Sequence, residues 1–171
     1  DAAGSDAPDW SARTQRQLDE VLAQGAVAVK VWKDIGMQLR DRTGRAVMID
    51  DSRFVPVFES LVARGVMVLG HQGEPRNAWL PLDQMTIRGD RDYFAEHPQY
   101  HMFRHPEWPS YDEQLAARDR LLERFPRMKF VGVHLASLEW DVDRIAEFLT
   151  RHPQASVDLA PLAHIALMLI G

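Results

Sequence analysis

The sequence predicts an α/β fold of about four parallel βα units, on three observations. Amphipathic helical segments alternate with short apolar runs four times in succession, only a few residues separate each helix from the run that follows it, and the runs favour valine and other apolar side chains. Helix-then-strand alternation of this kind is the pattern of a parallel sheet covered by helices.

The first helix is expected from Asp9, which stands as a cap before Trp10, Thr14, Leu18, Val21 and Leu22, with Gly25 as a left-handed stop. A strand over 27–32 follows. Its two-residue period turns Val27, Val29 and Val31 toward the helices and Ala28, Lys30 and Trp32 to the other face. Residues 33–50 hold Gly36, Asp41, Gly44 and alternating charges, and predict a small loop or hairpin. The second helix opens at Asp51 or Ser52, carries Phe54, Val57, Phe58, Leu61 and Val62 on one face, and stops at Gly65. Pro56 is tolerated because it falls near the first turn. After a strand over 66–70 comes a long connection, 72–109, with five prolines and the aromatics Trp79, Tyr93, Phe94, Tyr100, Phe103 and Trp108. Its length marks a functional or disordered segment and its aromatic content argues for order, so it reads as an ordered lid. Ser110 and Glu113 form a capping box for the third helix, through Leu115, Leu122 and Phe125, which Pro126 closes. A strand over 130–133 leads to the fourth helix, from Asp141 through Val142, Ile145, Phe148 and Leu149 to a stop before Pro153, and then to a strand over 155–160. By the same period Met67, Leu69 and His71 share a face, as do Phe130, Gly132 and His134, and Ser156, Asp158 and Ala160.

Composition narrows the function. The chain has 171 residues, no cysteine and a net charge of −5, without a basic run longer than two residues, so nucleic acid is not an expected partner. The longest apolar stretch, at the C-terminal end of the sequence, is far short of the ~20 residues that span a bilayer, so no membrane role is expected. Without cysteine, any metal site must use histidine and carboxylate.

In parallel α/β sheets ligands collect at the carboxyl ends of the strands, and the polar residues of this chain fall there. His71 in VLGHQGEP and His134 in KFVGVHLAS each end an apolar strand, with a glycine one residue before the first and two before the second. Imidazole is the commonest metal ligand and is suited to proton transfer, so the pair is a candidate metal or acid-base site; the alternative is two core imidazoles satisfied by backbone carbonyls. Lys30 lies on the interior face, either functional or packed against Trp32 with its ammonium on Asp158 or a loop carboxylate. Asp158, at the end of SVDLA, reads as a supporting partner. Glu74, three residues after His71, is an acid/base candidate or a solvated loop carboxylate. His97, His101 and His105 have helical spacing, but Pro98 and Pro106 oppose a helix there, so they belong with the lid. The lid aromatics and Arg76, Arg88, Arg91 and Arg104 are available to a substrate carboxylate or a neighbouring subunit, which leaves a homo-oligomer open.

Taken in order, GAVAVKVWK, RDRTGRAVMIDDSRF, VLGHQGEP, FPRMKFVGVHLAS and ASVDLA resemble the metal-dependent amidohydrolases of the amidohydrolase-2 type, from about residue 10 to residue 164. The resemblance implies a (β/α)8 TIM barrel, of which this chain carries about the fourth to seventh strands as one partial-barrel domain over 1–171. It implies that His71 binds a divalent metal, usually zinc, and that His134 is a ligand or a catalytic group. Lys30 matches the region where some relatives carry a carbamylated lysine, which implies a catalytic role or, in this branch, a structural or substrate contact. The family's HxH pair on the first strand and aspartate on the eighth are not in this sequence, which reads as the middle of a larger enzyme or as a piece that another chain completes. Segment 161–171 is left open between a helix and a later strand.

The expected activity is metal-assisted attack of water on an amide or lactone carbonyl of a small molecule, with Trp32, Glu74, Arg76, Trp79 and Asp158 as substrate contacts. One alternative keeps the fold and metal but makes the reaction a non-oxidative decarboxylation of an aromatic or unsaturated acid. Another is a non-catalytic small α/β domain that binds a ligand at its strand ends.

Overall fold

The structure, a computed structural model, describes residues 4–72 and 74–159. Four strands, β1 (Ala28–Val31), β2 (Met67–Gly70), β3 (Phe130–Gly132) and β4 (Ala155–Val157), pair in the order β1-β2-β3-β4, all parallel. Each is shorter than its apolar run: Val27 is 87% exposed and outside β1. Ala160 and 161–171, whose assignment the sequence leaves open, lie outside the described residues. No helix among the described residues is long and apolar enough to cross a membrane.

The helices α1 (Trp10–Ala23), α2 (Val55–Ala63), α4 (Tyr111–Arg124) and α5 (Val142–Arg151) answer the four expected segments, and the short α3 (Arg88–Glu96) lies in the long connection. Their starts follow the local chemistry. Ser110 and Glu113 make the reciprocal capping box on α4, and the Asp141 carboxylate accepts the N–H groups of Asp143 and Arg144 at the start of α5. Asp9 differs: its carboxylate pairs with Arg13 one turn on and caps no N–H. A 3₁₀ turn, Ser52–Phe54, precedes α2 and places Pro56 in its first turn, where no N–H is required.

Strand register defines the two faces of the sheet. Val29, Val68, Phe130 and Ala155 lie side by side toward the helices, with Val68 fully buried and Phe130 2% exposed in one core with Phe58, Leu61, Leu121, Leu122 and Phe148. Lys30, Leu69, Val131 and Ser156 form the adjacent row on the opposite face. That face stays partly open: Lys30 and Ser156 are exposed and Met67 is 40% exposed.

The expectation for 33–50 holds as a hairpin, closed by an antiparallel bridge between Arg40 and Ala46 and turning at Gly44 with φ +82°. The long connection is ordered around a second core of Met37, Ala78, Met85, Phe94 and Met102. Its histidines do not converge. His101 Nε2 donates to the Leu80 carbonyl at 2.8 Å, His105 stacks on Trp108 at 4.0 Å, and His97 lies against Tyr93.

Candidate functional site

Register corrects one expectation from strand period. Phe130 pairs with Val68, so Phe130 and Gly132 face the helices, and simple alternation would send His134 to that side as well. His71 continues the row of Leu69 and Lys30 on the open face. Yet the His71 and His134 rings lie 4.6 Å apart, edge to face.

A reversal of backbone hand after β3 brings them together. His134, Leu135, Ala136 and Ser137 all have φ between 53° and 57°, a single left-handed turn without a glycine. L-residues enter this region at a cost of about 1–2 kcal/mol each, so the turn persists only where its surroundings dictate it. They do. The Asp158 carboxylate accepts the His134 N–H at 2.7 Å and the Asp158 carbonyl accepts the Leu135 N–H at 3.0 Å. Arg118, 3% exposed, donates to the Ala136 carbonyl, the Tyr111 hydroxyl donates to the Ser137 carbonyl, and the Ser137 hydroxyl donates to the Gln72 carbonyl at 3.2 Å. Gly132 provides the room: a Cβ there would stand 2.5 Å from the Ala136 Cβ. Sequence reasoning missed Arg118, although an arginine at helical spacing between Leu115 and Leu122, on the apolar stripe of α4, is a visible signal.

His71 is 6% exposed; its N–H donates to the Val31 carbonyl at 3.1 Å, but neither ring nitrogen has a partner, and His134 Nδ1 is likewise buried and unpartnered. Burial, with His134, Lys30 and Lys33 adding positive charge nearby, pushes the His71 imidazole down to about 3, so it is neutral across the physiological range. Burial also lowers His134; Asp158 opposes the shift, while Lys30 and Lys33 add to it. Lys30 Nζ sits 4.7 Å from the Trp32 ring centroid, and Trp32, 52% exposed, meets His71 edge-on at 5.2 Å. Lys30, Trp32, His71, His134 and Asp158 thus gather at one end of the sheet.

The other expected contacts go elsewhere. Glu74 is buried in an ion pair with Lys33, whose Nζ lies 4.1 Å from the Tyr100 ring centroid. Burial raises the Glu74 carboxyl and Lys33 opposes the rise. Lys33 is a second residue that sequence reasoning passed over, though it continues the buried row of Val31. Arg76 and Trp79 make their contacts with Trp140 and Tyr111.

Two neutral imidazoles with unpartnered ring nitrogens suit a borderline divalent cation such as zinc. Among the described residues no group of three or more His, Cys, Asp or Glu side chains is placed to hold a metal ion, so the histidine pair has no third such side chain beside it. No protein-family model, curated protein or solved structure matches the chain.

Proposed function

We propose that these strand ends belong to a metal-dependent hydrolase centre of the amidohydrolase type, on a sheet that forms an arc of a (β/α)8 barrel. The observation that supports this most is the pairing of buried His71 with half-buried His134, their rings 4.6 Å apart and three of their four ring nitrogens buried without hydrogen-bond partners. Unpartnered buried polar atoms cost about 1–3 kcal/mol each, so a pair of this kind needs a compensating role.

A divalent ion such as zinc, when bound, supplies Lewis acidity toward a carbonyl and lowers the pKa of water. His71 is the ligand best prepared to hold it, because burial keeps its imidazole neutral. His134 is the second ligand or the group that steadies a developing oxyanion, and Asp158 positions it through the backbone. Lys30 adds positive charge beside both rings on the open face, and Trp32 walls the approach of a small amide or lactone.

Calorimetric titration of the metal-free chain with zinc tests the reading. One equivalent should bind, at 100 times Kd free zinc should stabilise the fold by about 2.7 kcal/mol, and His71→Ala should abolish both effects. Absence of zinc binding, or binding undiminished in His71→Ala, overturns the proposal. Assays of amide and lactone hydrolysis beside carbon dioxide release then decide the reaction class.

A further inference from the structure

A cavity of about 280 Å³ lies where the start of the long connection meets α4 and α5. Arg76, Trp79, Tyr111, Asp112, Trp140 and Arg144 border it. Two guanidinium groups flank one indole, with Arg76 Cζ 4.0 Å and Arg144 Cζ 5.3 Å from the Trp140 ring centroid. Among the described residues neither arginine forms an ion pair.

The walls are fixed in place. Trp140 Nε1 donates to the Tyr111 hydroxyl at 2.8 Å, Trp79 meets the Tyr111 ring edge-on at 5.3 Å, and the Glu139 carboxylate accepts the Arg76 backbone N–H at 3.0 Å. The Tyr111 hydroxyl is committed to the Ser137 carbonyl, and the cations bordering the space are the two guanidiniums. An arginine stacked on an aromatic face keeps the edge of its planar fork free, and that edge matches a carboxylate. Two like charges on one cavity repel, and a bound anion relieves the repulsion. The Asp112 carboxylate on the border opposes a second negative charge, and the three aromatic walls suit a flat apolar body.

We propose that this cavity binds a small aromatic monocarboxylate, held at its carboxylate by Arg76 and Arg144 and at its ring by Trp79 and Trp140. Its residues are separate from the histidine pair, so the site stands or falls independently of the metal reading.

Benzoate is the probe, with neutral benzamide and inorganic phosphate as comparators, and the readout is the indole N–H resonance of each of the 5 tryptophans by NMR, Trp140 being assigned with Trp140→Phe. Benzoate should shift the Trp140 and Trp79 resonances saturably in the millimolar range, with benzamide producing no saturable shift. Arg144→Gln and Arg76→Gln should each weaken binding about tenfold or more, while Arg120→Gln, on an exposed arginine outside the cavity, leaves it unchanged. Arg76 is exposed and Arg144 half-buried, and neither belongs to the apolar core, so circular dichroism should show the fold retained. The proposal is overturned if benzoate gives no saturable shift, if benzamide matches it, or if the arginine variants bind as well as the parent. Phosphate binding as tightly as benzoate would equally overturn the aromatic assignment.

Discussion

Ala136 and Ala117 make a matched pair for testing the left-handed turn. Both are buried, Ala136 at 4% and Ala117 at 0% exposure, but Ala136 has φ +57° while Ala117 lies inside the right-handed α4. Changing Ala117 to glycine removes a buried methyl, about 0.8 kcal/mol, and incurs the glycine penalty of a helix interior, about 1 kcal/mol. A loss near 2 kcal/mol is expected. Ala136→Gly loses the same methyl and about 0.5–1 kcal/mol of chain entropy, but it relieves about 1–2 kcal/mol of left-handed strain. These contributions nearly cancel, so Ala136→Gly should lie within about 1 kcal/mol of the parent and be more stable than Ala117→Gly by about 1–2 kcal/mol. Urea unfolding of the three proteins at one pH, with equal slopes, reads the difference directly. Equal destabilisation by the two substitutions would refute the left-handed assignment and, with it, the explanation of how His134 reaches His71.

Other outcomes follow from the same contacts. Glu74→Gln strands the buried Lys33 ammonium and should destabilise the fold by about 3–5 kcal/mol, whereas Lys33→Met with Glu74→Leu should recover most of that loss; chemical denaturation separates the cases. In metal-free protein His71 has a folded pKa near 3 against an ordinary value of 6.5, so the unfolded chain takes up the proton first as pH falls. Stability should therefore drop between those two values, by up to about 1.4 kcal/mol per pH unit from this group, and the drop should shrink in His71→Leu. Gly132→Ala puts a Cβ 2.5 Å from the Ala136 Cβ and 2.9 Å from its Cα, and should cost about 1–3 kcal/mol in urea unfolding while weakening zinc binding as the turn is displaced.

Much of the framework is legible along the chain because its causes are local. The capping box at Ser110 and Glu113, the Asp141 cap and the proline stops act within a few residues, and the valine period of β1 puts Val31 in the core and Lys30 on the open face. Long-range placement is not legible in this way. Lys33 and Glu74 are 41 residues apart and meet because β1 and β2 pair, with Val31 beside Gly70, which sets the segments leaving the two strands next to each other. Arg76 appears in sequence as a neighbour of His71, but its contacts are with Trp140 and with the Glu139 carboxylate.

The sequence by itself determined a parallel helix-covered sheet and the presence of two histidines at neighbouring strand ends, because hydrophobic period and capping are read within single elements. Only the tertiary structure decided that those histidines face each other. Alternation along β3 would have turned His134 toward the helices. Bonds from Arg118, Tyr111 and Asp158, which are 16 to 24 residues away from His134, instead hold four residues in a conformation that none of them prefers alone.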